Sequence, residues 1–358
     1  MCIRDRYQGS WLLNGYSEIM KATITDVARQ AGVSMKTVSR VLNNEPNVAE
    51  KTRAHVKAIA SELRYSPNLA ARGLATSKSY LIALIYDNPS PNYIAHIQRG
   101  ATEACRDANY HLVIAPMSLV KAKSYDEKIK IVQNTLDRLP VDGVILTPPL
   151  SDEIAVLDVL RELNIKCVPI APKNDNAQPF VGMDDETAAY QMTQYLLSKG
   201  HERIGFIRGH VDHAATSLRQ AGFLRAMADS GMAVADNLIA QGDFSFESGV
   251  TAARTFLEVS DADRPTAIFA SNDDMAAAVM SVAGQLGLKV PESLSVCGFD
   301  DTPLARIVWP ALTTVRQPIY KMGYQAAKEL VRKPDEIAEN GQILDFEIIT
   351  RDSVFALK

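Results

Sequence analysis

Acidic, amide, arginine and aromatic side chains follow a series of apolar runs in the second part of the chain. Carboxylates and amides bind pairs of hydroxyl groups and aromatic rings cover apolar C–H faces, so this mixture is typical of a sugar site. The residues that end the apolar runs are Tyr86, Asp87, Asn88, Thr147, Asp184, Asp185, Arg208, Asp243, Phe244, Ser271, Asn272, Asp273, Asp300 and Asp301. The alternative role, a helix N-cap, is expected more for Asp185 and Asp273 than for Asn272 and Asp300.

A second set of chemically suited residues lies near the start of the chain, in "ITDVARQAGVSMKTVSRVLNN" (24–44). Lys36 and Arg40 can donate to guanine O6 and N7, and Met35 can contact a thymine methyl group. The residues better suited to phosphate oxygens are Thr25, Thr37, Ser39 and Arg53. The alternative is an ordinary three-helix core with a solvated, charged face.

The elements that must position this second set are three short helices. Thr25 is expected to cap the first helix, Gly32 to permit a tight turn, and Ser34 to cap a second helix that ends near Leu42. Apolar spacing predicts a third helix over 49–63. Two short helices joined by a turn that contains glycine are a helix-turn-helix arrangement.

The charge is distributed unevenly along the chain. Residues 20–80 contain ten lysines and arginines and four acidic residues, a net charge of +6, although the whole chain carries −4. Residues 81–358 contain 26 basic and 36 acidic residues, a net charge of −10. A basic first part on an acidic remainder indicates that only the first part meets a polyanion such as DNA.

The segment "YSPNLAARGLATSKS" (65–79) predicts a short, marginal helix over 68–75. Gly73 weakens such a helix by about 0.5–1 kcal/mol relative to alanine, and eight residues are too few for a stable isolated helix. The segment is therefore expected to fold only when docked against something. Leu74 is an apolar wedge of the kind that can enter a minor-groove base step.

The remainder of the chain alternates apolar strands with amphipathic helices. Strands are expected at 80–87, 110–116, 142–149 and 166–172, and then at 179–185, 203–209, 237–244, 266–272 and 294–301. Helices are expected near 93–108, 124–138, 152–163, 186–199, 214–230, 246–258 and 273–287. This alternation predicts parallel sheets covered on both faces, and its two series predict two Rossmann-like subdomains.

Several classes of protein are disfavoured by the sequence. No P-loop, nucleophile elbow, zinc-protease motif or paired cysteine–histidine cluster accompanies the cleft residues, so an enzyme, a metal site and a cofactor are not expected. His210 and His213 are interpreted as structural. No apolar run reaches the length of a membrane span, and the four cysteines fit a reducing cytoplasm. Residues 1–19 do not resemble a signal peptide and are interpreted as a disordered or spurious extension.

The quoted segments "TITDVARQAGVSMKTVSRVLNN" and "RYSPNLAARGLATSKS" resemble the DNA-binding head and hinge helix of the LacI/GalR family of transcriptional regulators. The resemblance runs from about residue 22 to the end of the chain. It implies that Met35, Lys36 and Arg40 read bases and that Leu74 is the intercalating hinge leucine of each subunit. The DNA-contact set that it implies is Thr25, Ser34, Met35, Lys36, Thr37, Ser39, Arg40, Asn68, Ala71 and Leu74.

The same resemblance implies an effector site in the second part of the chain. "SLRQAGF" (217–223), "ASNDDMA" (270–276) and "VCGFDD" (296–301) are similar to family elements that place Arg219, Asn272 and Asp300 on the effector. The remaining effector residues that it implies are Phe244 and Gln317 and, more weakly, Tyr86, Asn88, Tyr93 and Thr147. No leucine heptad follows "ITRDSVFALK", so a dimer is expected, held near the helix at 93–108.

The expected fold is a small all-α helix-turn-helix head plus an α/β periplasmic-binding-protein-like body of two Rossmann-like subdomains. The expected parts are 1–19 (extension), 20–66 (DNA-binding head), 67–79 (hinge), 80–181 plus 318–343 (N-subdomain) and 182–317 plus 344–358 (C-subdomain). The expected function is a homodimeric repressor that binds palindromic operator DNA and responds to a sugar or sugar phosphate. The alternative is a periplasmic sugar-binding protein, which would have the same body fold. The basic head disfavours this alternative.

Overall fold

The computed structural model describes residues 22–42, 45–65, 78–173, 179–332 and 341–357. Packing separates the chain into an N-terminal unit that ends at Lys78 and a larger unit that begins at Ser79. The predicted extension 1–19 and the predicted hinge residues Asn68, Ala71 and Leu74 lie outside the described residues.

The described residues of the N-terminal unit form three helices: α1 (Ile24–Ala31), α2 (Met35–Leu42) and α3 (Glu50–Glu62). The three predicted helices are thus confirmed. Their core contains four completely buried valines, which are Val27, Val38, Val41 and Val56. Full burial of one such side chain is worth about 1.5–3 kcal/mol, so a unit this small depends on each of them.

The start of α1 differs from the prediction, because Thr23 and not Thr25 caps the helix. The Thr23 hydroxyl accepts from the Asp26 amide, and the Asp26 carboxylate accepts from the Thr23 amide at 3.0 Å. This reciprocal pair requires an acidic or amide side chain three residues beyond the cap. Position 28, three residues beyond Thr25, is an alanine.

The turn and the start of α2 match the prediction. Gly32 has a φ of 63°, a left-handed conformation that glycine adopts without steric cost. The Ser34 hydroxyl accepts from the Thr37 amide at 3.2 Å and so caps α2. These two features fix the angle at which α2 leaves α1.

The first lobe of the larger unit contains a parallel four-stranded sheet in the order β2-β1-β3-β4. Its strands are β1 (Leu81–Tyr86), β2 (His111–Pro116), β3 (Gly143–Leu146) and β4 (Lys166–Pro169). The helices that connect them are α4 (Pro91–Asp107), α5 (Tyr125–Leu136) and α6 (Ile154–Glu162). β1 and β3 are continuous apolar runs, as expected of strands covered on both faces.

The second lobe contains a six-stranded sheet in the order β12-β10-β9-β8-β6-β7, parallel except for β12. Its strands are β6 (Ile204–Arg208), β7 (Ile239–Gln241), β8 (Ala267–Ala270), β9 (Ser295–Asp300), β10 (Thr313–Arg316) and β12 (Glu347–Ile349). Its helices are α7 (Asp185–Ser198), α8 (Ala214–Asp229), α9 (Phe246–Leu257), α10 (Asp273–Gln285) and α11 (Leu304–Ile307). The two lobes confirm the predicted fold class.

The strand expected to begin the second series does not join the second sheet. Its observed part, β5 (Val181–Gly182), pairs with β11 (Gln342–Ile343) in a separate two-stranded sheet, and Val181 also bridges to Ile170 beside β4. The prediction was wrong because β5 has only two residues and its partner strand comes from the far end of the chain. A local apolar pattern does not reveal such a partner.

The chain returns to the first lobe through α12 (Ile319–Val331), which packs directly on α4. The contact is close because both helices contribute a glycine. A Cβ atom on Gly100 would lie 2.0 Å from the Tyr320 carbonyl oxygen, and one on Gly323 would lie 2.3 Å from the Ile97 carbonyl oxygen. Within the described ranges, no helix has both the length and the hydropathy that crossing a bilayer requires.

Candidate nucleic-acid interface and ligand cleft

Helix α2 presents an exposed face on the N-terminal unit. Met35 is 54% exposed, a large fraction for an apolar side chain, and Lys36 and Arg40 are also exposed. Arg40 lies 3.7 Å from the Glu45 carboxylate, an exposed pair that contributes little to stability. A helix start with exposed basic and apolar side chains suits the major groove of DNA.

The residues predicted to contact phosphate occupy different environments. The Thr25 hydroxyl lies 3.4 Å from Met35 Sδ, and the Ser34 and Thr37 hydroxyls are 2.9 Å apart at the start of α2. The Arg53 side chain is largely buried, and its Nη2 donates to the Glu45 carbonyl oxygen at 2.8 Å. This hydrogen bond holds the α2–α3 loop, and the phosphate contact of Arg53 stays a prediction.

A cleft with two connected parts lies between the lobes of the larger unit. The outer part has a volume of about 650 Å³ and the inner part about 40 Å³; Asn88 and His213 line both. The inner part is lined by Asn88, Ser90, Tyr93, Pro148, Ala171, Asp185, His213, Ala215, Arg219, Phe244, Asn272, Asp300 and Gln317. The inner volume holds about one water molecule, so a larger ligand must displace side chains or extend into the outer part.

Seven of the nine predicted effector residues are brought together around the inner part: Asn88, Tyr93, Arg219, Phe244, Asn272, Asp300 and Gln317. Tyr86 and Thr147 are not among them. Tyr86 is partly buried at the end of β1. Thr147 is completely buried after β3, where its Oγ1 atom has no hydrogen-bond partner among the described residues.

Arg219 lies at the centre of the inner part and is only 4% exposed. Its Nε donates to Asp185 Oδ1 at 2.8 Å and its Nη1 to the Ser271 carbonyl oxygen at 2.5 Å. The guanidinium also lies 3.6 Å from the centre of the Phe299 ring. These contacts fix the arginine in one orientation before any ligand binds.

Asp185 does not cap α7, which the sequence offered as an alternative to a binding role. Asp184 is the cap, and its carboxylate accepts from the Thr187 amide at 2.8 Å. A cap must precede the first helical residue. Asp185 is that first residue, so Asp184 takes the capping role. Asp185 is thereby directed into the cleft toward Arg219.

At the start of α10, Asn272 and Asp273 have the opposite of their expected roles: Asp273 was expected to cap the helix, and Asn272 does so. Asn272 caps the helix, since its Oδ1 accepts from the Met275 amide at 3.0 Å while its Nδ2 donates to the Phe244 carbonyl oxygen at 2.8 Å. Asn272 thus positions the backbone that carries Phe244.

Asp273, the residue expected to cap, is completely buried and accepts hydrogen bonds from Thr302 and Thr314. It ties α10 to β10 and to the loop after β9. Burial raises the pKa of its carboxyl group, although these hydrogen bonds act in the opposite direction.

Asp300 and Phe244 are held in strained backbone conformations, with φ values of 121° and 73°. Asp300 Oδ1 accepts from Gln317 Nε2 at 2.5 Å, and burial raises the pKa of Asp300 well above its usual value. The Phe244 ring lies 5.2 Å from the His213 ring and close to Gly209, where a Cβ atom would lie 1.9 Å from Phe244 Cζ. Only a glycine at 209 leaves room for this ring.

Sequence reasoning missed His213, which it had interpreted as structural. The side chain is 5% exposed and lines the cleft between Phe244 and His210. Burial, together with the nearby His210 and Arg219, lowers the pKa of His213 to about 3, so the ring is neutral at physiological pH. The described residues contain no cluster of histidine, cysteine or acidic side chains that could hold a metal ion.

A helix-turn-helix unit joined to a two-lobed α/β unit with a ligand cleft defines a DNA-binding regulator controlled by an effector. Residues 23–68 match the bacterial regulatory proteins of the lacI family, and residues 193–354 match the periplasmic binding protein-like domain. The chain is 35% identical to catabolite control protein A of Priestia megaterium over 87% of this chain and 92% of that protein. The chain therefore belongs to the LacI family, and it is a transcriptional regulator rather than an enzyme.

Two solved structures have the same architecture. The regulator CelR in complex with cellobiose is 31% identical, with a TM-score of 0.69 over 93% of this chain and 99% of CelR. The lac repressor dimer bound to operator and the anti-inducer ONPF is 26% identical, with a TM-score of 0.74 over 94% of this chain and 99% of that one.

Proposed function

We propose that the protein is a homodimeric transcriptional repressor that binds palindromic operator DNA and whose operator affinity changes when a sugar-like effector binds in the cleft. The similarity to a lac repressor dimer bound to operator and to CelR with cellobiose supports both parts. Its place of action is then the bacterial cytoplasm, where operator DNA lies.

The DNA-contact set is supported by the exposed face of α2. Met35, Lys36 and Arg40 are the base-reading side chains of this proposal, because they are exposed, whereas Arg53 is largely buried. The proposed contact of the hinge residues Asn68, Ala71 and Leu74 with the minor groove is supported by the sequence alone. Two copies of this set read the two halves of a palindrome.

The observation that carries the effector part is the single inner cavity that Arg219, Asp300, Asn272 and Phe244 line together. These residues come from α8, the end of β9, the start of α10 and the loop after β7, and they meet only at the carboxyl edge of the second sheet. Ligands of open α/β sheets bind at this edge. Fixed polar groups beside an aromatic ring provide the hydroxyl contacts and the apolar cover that a sugar requires.

Contacts across the cleft support the proposed coupling. Ser90, which precedes α4 in the first lobe, donates through Oγ to Asp274 Oδ2 of the second lobe at 3.1 Å. Two hydrogen bonds hold the point at which the chain enters the first lobe. Asp142 accepts from the Ser79 amide at 2.7 Å and from the Tyr80 amide at 3.0 Å. A change in the angle between the lobes therefore moves the point from which the chain leads to the N-terminal unit.

The dimer is supported by an exposed apolar surface on the larger unit. Trp309 is 89% exposed and Ile307 is 75% exposed, at the end of α11 and before β10. Large apolar side chains exposed together are typical of interaction sites. A second copy of this chain covers them in the proposed dimer, together with the expected contacts near α4.

The test is an operator selected from random duplex DNA with the full-length protein, followed by fluorescence anisotropy with and without neutral mono- and disaccharides. We expect a palindromic site and a sugar-dependent change in affinity. The Arg219→Met variant should bind the operator but lose the sugar response. Selection of no sequence, or an unchanged response in Arg219→Met, would contradict the proposal.

A further inference from the structure

The inner part of the cleft contains one cationic side chain and two carboxyl groups. Arg219 is the cation, and Asp185 and Asp300 are the acids; the neighbouring His213 is neutral. The Arg219–Asp185 pair cancels its own charge at a distance of 2.8 Å. Among the described residues that line this part, no positive charge therefore remains for an anionic ligand.

The donors of Arg219 are already directed at protein acceptors. Nε donates to Asp185 and Nη1 to the Ser271 carbonyl oxygen, while the guanidinium face is covered by Phe299. Recognition of a phosphate or carboxylate by arginine usually uses two parallel N–H donors. A phosphate placed here would have to break a buried ion pair and would then lie beside an unpaired Asp185.

The outer part of the cleft does not supply the positive charge that an anionic ligand would need. Its lining contains two lysines and five acidic residues: Lys128, Lys173, Asp87, Asp152, Glu153, Asp212 and Asp243. Lys128 Nζ lies 2.7 Å from Glu153 Oε2, so one of the two lysines is itself paired. The described part of the outer lining therefore also has an excess of negative charge.

The same groups suit hydroxyl ligands. Among the described contacts, Asp185 and Asp300 each accept through Oδ1 only, from Arg219 and Gln317, which leaves Oδ2 of each to accept from a ligand hydroxyl. A hydroxyl group satisfies a buried carboxylate without adding charge.

We infer that the cleft selects an uncharged, polyhydroxylated ligand and excludes sugar phosphates and other anions, because Asp185 neutralises the one buried arginine and the donors of Arg219 are directed at protein acceptors. This inference rests on the proposed effector function of the cleft and decides between its two ligand classes. Asp185 is then a specificity-determining residue, since it rejects an anion as well as binds a hydroxyl.

The test compares the full-length wild type with Asp185→Asn and Asp185→Ser, by calorimetry and thermal unfolding. The probes are glucose, maltose, cellobiose, glucose 6-phosphate and inorganic phosphate, with chloride at matched ionic strength. We expect the wild type to prefer a neutral sugar to glucose 6-phosphate by about tenfold or more. Each variant should bind inorganic phosphate about tenfold more tightly than the wild type, because Arg219 gains net charge.

The matched control is Glu186→Gln, which removes the next carboxylate of α7. Glu186 pairs with Arg225, and both side chains are partly exposed outside the inner part. This variant should bind phosphate as the wild type does. If Asp185→Asn does not fold, Asp185→Ser makes the same comparison.

Two results would overturn the inference. One is wild-type protein that binds glucose 6-phosphate as tightly as any of the neutral sugars. The other is an absence of gained phosphate binding in both Asp185 variants. If no neutral sugar binds the wild type, the sugar-effector proposal fails, while the phosphate comparison with the variants still decides whether the Asp185 carboxylate neutralises Arg219.

Discussion

The two arginine–acid pairs that join α7 to α8 should differ sharply in their energetic coupling. Asp185 and Arg219 are 4% and 5% exposed at their side chains, whereas Glu186 and Arg225 are 34% and 46% exposed. Removal of one partner from a buried pair costs about 3–5 kcal/mol, because the other charge stays buried without a partner. An exposed pair contributes about 0–1 kcal/mol.

The measurement is a double-mutant cycle on the free energy of urea unfolding of the full-length protein. The buried cycle uses Arg219→Met, Asp185→Asn and the double variant, and the control cycle uses Arg225→Met, Glu186→Gln and their double variant. We expect the buried double variant to cost less than the sum of its single variants by about 2 kcal/mol or more. The coupling of the exposed pair should stay below about 1 kcal/mol.

The two cycles share one helix pair, so differences in helix propensity and in residual unfolded structure largely cancel. Equal coupling energies in the two cycles would refute the reasoning, since burial is the main difference between the pairs. Such a result would mean that Arg219 is held by Ser271 and Phe299 rather than by Asp185.

Three further predictions concern other parts of the chain. Lys36→Ala should weaken operator binding by about 1–3 kcal/mol and relax specificity at one base pair, measured by anisotropy on single-base operator variants. Gly209→Ala should cost about 1–3 kcal/mol in unfolding free energy and reduce the effector response more than operator binding, because the new Cβ would displace the Phe244 ring. Burial acts against Asp301, but hydrogen bonds from Arg351 and Arg316 lower its pKa in the folded protein. Its stabilising contribution is therefore present above the unfolded pKa of about 4 and is lost as pH falls through the folded value. Unfolding of Asp301→Asn should show a weaker loss of stability below about pH 4 than the wild type.

Each of these has a result that would contradict it. Unchanged specificity at every operator position would remove Lys36 from the base-reading set. A normal effector response in Gly209→Ala would show that Phe244 need not occupy its observed place. An identical pH profile in the wild type and Asp301→Asn would mean that the depressed pKa of this carboxyl group does not contribute to acid sensitivity.

Helix and strand positions could be predicted because their causes are local. The expected helix over 214–230 is observed at Ala214–Asp229, and the expected strand over 203–209 is observed at Ile204–Arg208. Apolar periodicity and chain punctuation act over a few residues, so the printed sequence contains them in full. The strand β5 was misplaced because its partner lies about 160 residues away, a relation that periodicity does not encode.

Capping was the least predictable local feature. The sequence offered Thr25, Asp185 and Asp273, and the structure uses the neighbouring residues Thr23, Asp184 and Asn272. Adjacent acceptors have similar propensities to cap, and a shift of one or two residues exchanges their roles. That exchange decides which carboxylate faces the cleft.

The sequence by itself determined the class of protein, because the head motif, the charge asymmetry and the strand–helix alternation are properties of short segments. It also named eight of the thirteen residues around the inner cavity, five through their positions at strand ends and Tyr93, Arg219 and Gln317 through the family resemblance. Only the tertiary structure decided that Asp185 pairs with Arg219, that His213 lines the cleft and that Thr147 does not. These relations join residues far apart in the chain, and they depend on burial and on distances that arise only when the two sheets have packed.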